Sequence, residues 1–570
     1  MDLVEKMLQA GAYPHSEGVG HPGPIIVEQV RWLTRDDLES FWVLDNHYPR
    51  GMSPLGVDLV NITGMMTQAI AERIPLPPGR GLHAVFGGSH VYAAEIPVTS
   101  EWEMGFRGYR AAQNIPRMIA GFADAWKEAV EELETGFAHF RDTDPTSLAP
   151  HELGQHLEDA ITFHLRAWEI HFEMMYPLLA NYVGFYGLCA EFGIPPSEIS
   201  KFLQGYDTKI METDRELWKL AQAADELGLR DTFVGRPVSE LRAALEAGAS
   251  GRAFLEQLDA FLDRFGWRTE GIIEPTFVPW IEDPTPALAT VRGFLSGAGS
   301  FDFESAHAAA VEERDRAVAA AKERLTVEEQ EAFDAALAGC RAANFAWWNE
   351  EHNFYIDMRS HIPVRRAAMA IARAAGATDP EDAMFLYAEE LLDVAAGRRT
   401  WAEFADAVAD RRAYFREWWD LRADMPKVLG PPPPEVTDPV LKEILGVNED
   451  FLRSLGAVDP DAVELKGTPV SSGVARGRAR VLRSADEIGR IEPGDILVCE
   501  ATTPSWTPAF GIIAGCVCDT GGTLSHASIV SREYRVPCVV GVGVGSKVIT
   551  DGDIIEVDGG EGLVRIVERG

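Results

Sequence analysis

Toward its C-terminal end the chain reads Gly515-Cys516-Val517-Cys518-Asp519-Thr520-Gly521-Gly522-Thr523-Leu524-Ser525-His526-Ala527-Ser528-Ile529-Val530-Ser531-Arg532-Glu533. Gly515–Cys518 has the apolar character of a buried strand, Gly521-Gly522 of the turn that ends it, and the residues from His526 of an amphipathic helix. A helix start offers amides without intrahelical acceptors and the positive end of the helix dipole, which suits a phosphate. A histidine placed there can attack a phosphoryl group and hold it, while hydroxyls and amides bind its oxygens. The plainer alternative is a capping turn with an incidental histidine.

The segment resembles the phosphohistidine swivel domain of the phosphoenolpyruvate (PEP) synthase and pyruvate phosphate dikinase group, the PEP-utilising enzymes, whose pattern is T-x-G-G-x-x-S-H-x-A-I-V-x-R-x-x-x-x-P-x-V-V-G. Here Thr520 adjoins the glycines directly and Ser528 stands where alanine or glycine is usual, while Arg532 and Pro537-Cys538-Val539-Val540-Gly541 follow. Gly467-Thr468-Pro469-Val470-Ser471-Ser472-Gly473, Asp495-Ile496-Leu497-Val498 and Thr502-Thr503-Pro504-Ser505-Trp506-Thr507-Pro508 share the likeness. The resemblance implies that His526 carries the phosphate. Gly521 and Gly522 are expected to let the backbone approach it, and Thr523 and Ser525 to donate hydroxyls. Arg532 is assigned to the same cradle, with docking of the swivel onto its partners as its alternative. An unperturbed imidazole titrates at about 6.5, so charging is expected to weaken in acid.

A chain of 570 residues, 46% of them hydrophobic, exceeds one ordinary core and is expected to form about two to four globular domains. From about Ile25 the pattern is helical, as in Ala123–Leu133, Glu152–Tyr176 and Ala306–Leu325, with a two-stranded interruption near Leu82–Pro97. Pro431-Pro432-Pro433-Pro434 reads as a stiff spacer, followed by a short helical stretch and then by strands. The expected organisation is an N-terminal segment (1–24), a large, mainly helical acceptor domain (25–425), a proline-bearing linker (426–465) and a β/β/α swivel domain (466–570). The fold class is thus multidomain α plus α/β.

The formal net charge of −37 argues against nucleic-acid partners and anionic membranes. No apolar run is long enough to span a bilayer, and no secretory signal opens the sequence. The six dispersed cysteines fit small buried thiols in a reducing cytoplasm. No metal-ligand spacing such as H-E-x-x-H is present, so no metal is assigned.

Within the helical region, Trp42-Val43-Leu44-Asp45-Asn46-His47-Tyr48-Pro49-Arg50-Gly51-Met52-Ser53-Pro54-Leu55 and Glu350-Glu351-His352-Asn353-Phe354-Tyr355-Ile356-Asp357 resemble the substrate domains of phenylphosphate synthases and rifampin phosphotransferases. Glu212-Thr213-Asp214-Arg215-Glu216-Leu217-Trp218 and Trp280-Ile281-Glu282-Asp283-Pro284 do so as well. The implied acceptor is a small hydroxylated, aromatic molecule. Its chemistry needs a base, for which His352 beside Glu351 is the candidate, and cations against phosphate, for which Arg50 and Arg359 are candidates alongside His47. For each, packing or surface exposure is the competing reading.

No P-loop motif is found, and neither an ATP-grasp module nor a PEP-binding barrel is recognisable. The expected reaction is therefore an ATP-dependent phosphotransfer with a partner ATP-grasp subunit. That partner brings ATP and Mg2+, and this chain binds no cofactor tightly. The alternative is a phosphocarrier or regulatory protein that senses a ligand without net catalysis.

Overall fold

The computed structural model describes residues 2–22, 31–75, 79–296, 303–434, 436, 440–454 and 462–570. Two units are distinguished by their internal contacts. One comprises Met1–Ala180, Gly271–Val278 and Tyr355–Pro434; the other comprises Asn181–Glu270, Pro279–Phe354 and Glu435–Gly570.

In the first unit, β1 (Arg31–Trp32), β2 (Trp42–Leu44), β3 (Gly79–Gly87), β4 (His90–Pro97) and β5 (Val428–Leu429) form one sheet in the order β1-β3-β4-β2-β5. β3 and β4 are the hairpin expected near residues 82–97, with Gly88 at φ +62° in its turn. A Cβ at Gly88 would stand 2.1 Å from the Trp418 ring, so the position needs glycine for space as well as conformation. The helix Pro54–Arg73 is capped by Ser53 and buried along most of its length. Arg411 and Glu390, both buried, form a two-pronged ion pair at 2.6 and 2.9 Å. Val428–Leu429 fall within the expected linker, yet they pair with β2. Pro431–Pro434 adopt neither helix nor strand; residues 435, 437–439 and 455–461 lie outside the described residues.

The second unit contains the helices Lys209–Glu226, Ala249–Phe265, Thr285–Ser296, Phe303–Lys322, Val327–Ala342 and Phe345–His352. It also holds β6 (Glu464–Lys466), β7 (Thr468–Ser471), β8 (Val474–Val481), β9 (Ile496–Cys499), β10 (Gly515–Cys518), β11 (Cys538–Val540), β12 (Ile554–Asp558) and β13 (Leu563–Glu568). Their order is β6-β13-β12-β8-β9-β10-β11-β7. β8 to β11 are parallel, β12, β13 and β6 continue antiparallel from β8, and β7 closes the far edge antiparallel to β11.

β9, β10 and β11 are buried on both faces, which explains their continuous apolar runs, whereas β8, with Arg476, Arg478 and Arg480, is mostly exposed or half-buried. Leu497, Cys499, Cys516, Cys518, Cys538 and Val540 pack with Ala527, Val530 and Tyr534. Ile496, Val498, Val517 and Val539 pack with Ile555, Val557, Val564 and Ile566. All six cysteines are free and buried. The helix His526–Glu533 lies between β10 and β11 in the chain, so His526 stands beyond the carboxyl end of a parallel strand. That is the edge where sheets of this kind hold ligands.

Candidate active site around His526

The loop from β10 to the histidine is shaped by close backbone approaches. Asp519 anchors its start by accepting from Ser546 N at 2.9 Å, and Thr520 Oγ1 donates to Glu500 O at 3.0 Å. Gly521 has φ +109°, and a Cβ there would meet Ser525 Oγ at 2.8 Å. A Cβ at Gly522 would meet Glu443 O at 2.4 Å, because the segment from Val440 to Gly446 straps across this loop. The amides of Gly521, Gly522 and Leu524 donate to the carbonyls of Leu445 (3.3 Å), Ile444 (3.2 Å) and Glu443 (2.9 Å). The glycine amides thus bind the strap rather than facing outward as phosphate donors. Thr523 Oγ1 is likewise engaged, donating to Glu443 Oε2 at 2.6 Å.

Ser525 precedes the helix in extended conformation, but its hydroxyl does not cap it; it sits 3.0 Å from Ser528 Oγ, which in turn donates to Gly522 O. Arg532 folds back along its own helix: Nε donates to Ser528 O at 2.6 Å and Nη2 to Thr523 O. It braces the loop, a role that sequence spacing does not reveal. The helix start presents the amides of His526 and Ala527, which helical geometry leaves without intrahelical acceptors.

The His526 ring is buried between two threonine hydroxyls: Thr502 Oγ1 lies 3.0 Å from Nδ1 and Thr507 Oγ1 lies 3.1 Å from Nε2. Thr507 donates its only hydroxyl proton to Pro504 O at 2.8 Å, so it accepts at Nε2. This fixes the tautomer: Nε2 bears the proton and Nδ1 accepts from Thr502. Burial, reinforced by the buried Arg268 guanidinium, pushes the imidazole down to about 3. The expectation of an ordinary value near 6.5 is corrected here; the ring is neutral throughout the physiological range.

Glu350 Oε2 lies 3.8 Å from Nε2. Burial and the neighbouring carboxylates Asp214, Glu533 and Glu351 push this carboxyl up to about 8, against the opposing Asn349 hydrogen bond. Asp214, raised to about 7 by burial, accepts from Tyr534 OH at 2.8 Å. Arg268 is the buried cation facing both Asp214 and Glu350, and it lies over the Trp280 ring at 4.5 Å. Thr507 and Glu350 line a cavity of about 20 Å³ together with Tyr206, Met211, Trp347 and Tyr534. Thr502, Thr507 and Glu350 all fall in the recognised motifs, but only the fold shows them meeting at the ring.

The remaining candidates are distributed as follows. Glu351 accepts from Lys209 N at 2.6 Å and is raised to about 7, by burial first. The His352 ring packs on Trp348 at 4.1 Å. In the first unit, His47 pairs with Asp45 at 2.7 Å, which raises the imidazole despite burial. Arg50 stacks over Phe277 at 4.2 Å, and Arg359 bonds Glu134 at 2.7 Å over the Phe137 ring. Among the described residues, no helix is long and apolar enough to cross a membrane.

Residues 491–562 match the mobile domain of PEP-utilising enzymes, and residues 171–350 match the fourth domain of rifampicin phosphotransferase. A chondramide synthase of Chondromyces crocatus is 29% identical over 94% of this chain and 14% of its own. A rifampicin phosphotransferase of Streptomyces sviceus is 32% identical over 55% of this chain and 34% of its own. A probable phosphoenolpyruvate synthase of Archaeoglobus fulgidus is 49% identical over 18% of this chain and 13% of its own. The chain spans less than half the length of the curated relatives it matches.

Proposed function

We propose that the chain is a phosphotransferase of the PEP-utilising enzyme family that carries a phosphoryl group on Nε2 of His526 and delivers it to a small hydroxylated, aromatic acceptor. One observation carries this reading: His526 stands at a helix start, buried and neutral, with Nδ1 held by Thr502 and its Nε2 side turned to the cavity walls Thr507 and Glu350. A neutral imidazole is the nucleophilic form; with the Nδ1 lone pair occupied by Thr502, Nε2 takes the phosphoryl group, and its proton leaves for the Glu350 carboxylate 3.8 Å away as the N–P bond forms. The transfer then divides one difficult displacement into two easier ones through a reactive N–P bond.

In this reading a separate ATP-grasp chain binds ATP and Mg2+ and charges His526, while this chain supplies the carrier and the acceptor site. The acceptor class rests on the likeness of residues 171–350 to the rifampicin phosphotransferase domain and on the apolar walls of the cavity beside the ring. The test is His526→Ala. Acid-labile phosphate, followed by mass spectrometry after charging, is expected on the native chain and absent from the variant. Full labelling of a folded variant would move the carrier to another residue.

A further inference from the structure

Glu350 is held so that only one of its oxygens is committed. Asn349 Nδ2 donates to Oε1 at 3.3 Å, whereas Oε2 is buried without a hydrogen-bond partner and points to His526 Nε2 at 3.8 Å. The residue is only 3% exposed, and an unsatisfied carboxylate oxygen at that depth is unfavourable unless a function retains it. Neither threonine can take the proton role: Thr507 is committed to Pro504, and Thr502 serves Nδ1.

We propose that Glu350 is the proton shuttle of the transfer, taking the hydroxyl proton of an acceptor that enters the adjoining cavity and returning it to His526 Nε2. This deepens the function proposed above and rests on it. As the acceptor oxygen bonds to phosphorus, its O–H electron pair stays with oxygen and the proton passes to Oε2. As the P–N bond breaks, its electron pair returns to Nε2, which then takes the proton from Oε2. The balance is ROH plus phosphohistidine giving RO-phosphate plus histidine, with Nε2 protonated, the tautomer the structure holds. Glu350 therefore replaces His352 as the base.

The groups facing Glu350 are Asn349, His526, Arg268, Asp214, Glu533 and Glu351. A carboxyl titrating at about 8 in that company both accepts and releases protons near neutrality, as a shuttle must. The cavity of about 20 Å³ has room for a single hydroxyl or water, so the acceptor presents its OH end-on.

The test charges the full chain with phosphoramidate, which needs no partner, and follows loss of phosphate from His526 in water and in phenol. Discharge of the native chain is expected to accelerate with pH through about 8, as Glu350 ionises. E350Q should discharge roughly a hundred-fold or more slowly and lack that rise. E350D, which keeps a carboxylate, should retain the rise at a reduced rate and carries the test if E350Q does not fold. Discharge of E350Q at the native rate, or loss of rate in H352A but not in E350Q, overturns the shuttle alone. Failure of the native chain to become phosphorylated on His526 overturns the carrier reading and the shuttle with it.

Discussion

His526 titrates at about 3 in the folded chain, against about 6.5 for a free imidazole, because burial and then Arg268 disfavour its charged form. Between those values the unfolded chain binds a proton that the folded chain does not. The group's stabilising contribution is therefore full above pH 6.5 and is lost as pH falls toward 3. His526→Gln removes that proton linkage. Urea midpoints of variant and native chain are expected to change in the variant's favour as pH falls below about 6.5. A constant difference across that window would mean the ring is protonated in the fold. The identity of this histidine was legible in the sequence because a glycine turn and a helix start are local patterns. Its protonation was not, since Thr502 and Glu350 reach the ring only through tertiary packing.

The same contrast appears between elements. β9 and β10 were readable to the residue because both faces of a parallel strand are buried and the apolar run is unbroken. The strap was readable only as part of a short helical stretch after the prolines; its contact with the glycine loop was not, because that contact is made by carbonyls, which every residue possesses. Those carbonyls explain why the glycine amides do not face a phosphate. Gly446, at φ +76°, turns the strap toward the loop, and a Cβ there would stand 2.2 Å from Gly521 O. Gly446→Ala should cost about 1–2 kcal/mol from backbone conformation and more from the backbone contact. Gly489→Ala is the control, since Gly489 lies in a 3-10 turn with nothing near its added Cβ. Urea unfolding should show a clear loss for the first and little change for the second. Equal effects would mean that the strap does not pack on the glycine loop.

At the scale of the whole molecule, sequence composition and packing organise the chain differently. A boundary near residue 425 follows composition, which changes at the proline run. Contacts instead group residues 181–270 and 279–354 with 435–570, because buried side chains such as Phe303 join the core under the His526 helix. Which helical segments share a core with the swivel strands depends on long-range packing that periodicity does not encode. What remains legible at this scale is charge. A net charge of −37 repels a nucleotide triphosphate at long range, so binding it demands concentrated local donors. The sequence contains no G-x-x-x-x-G-K-[ST] loop to supply them. The purified chain with ATP and Mg2+ is therefore expected to show neither ATP turnover nor phosphohistidine. Adding an ATP-grasp chain should produce label on His526, and none when His526→Ala replaces the native chain. Measuring nucleotide turnover and protein-bound phosphate in the same reactions separates the outcomes. Turnover by the homogeneous chain alone would place nucleotide chemistry within these residues and eliminate the two-component reaction. Label that appears only with the second chain would locate charging there, leaving this chain the later half-reaction, in which Glu350 meets the acceptor's proton.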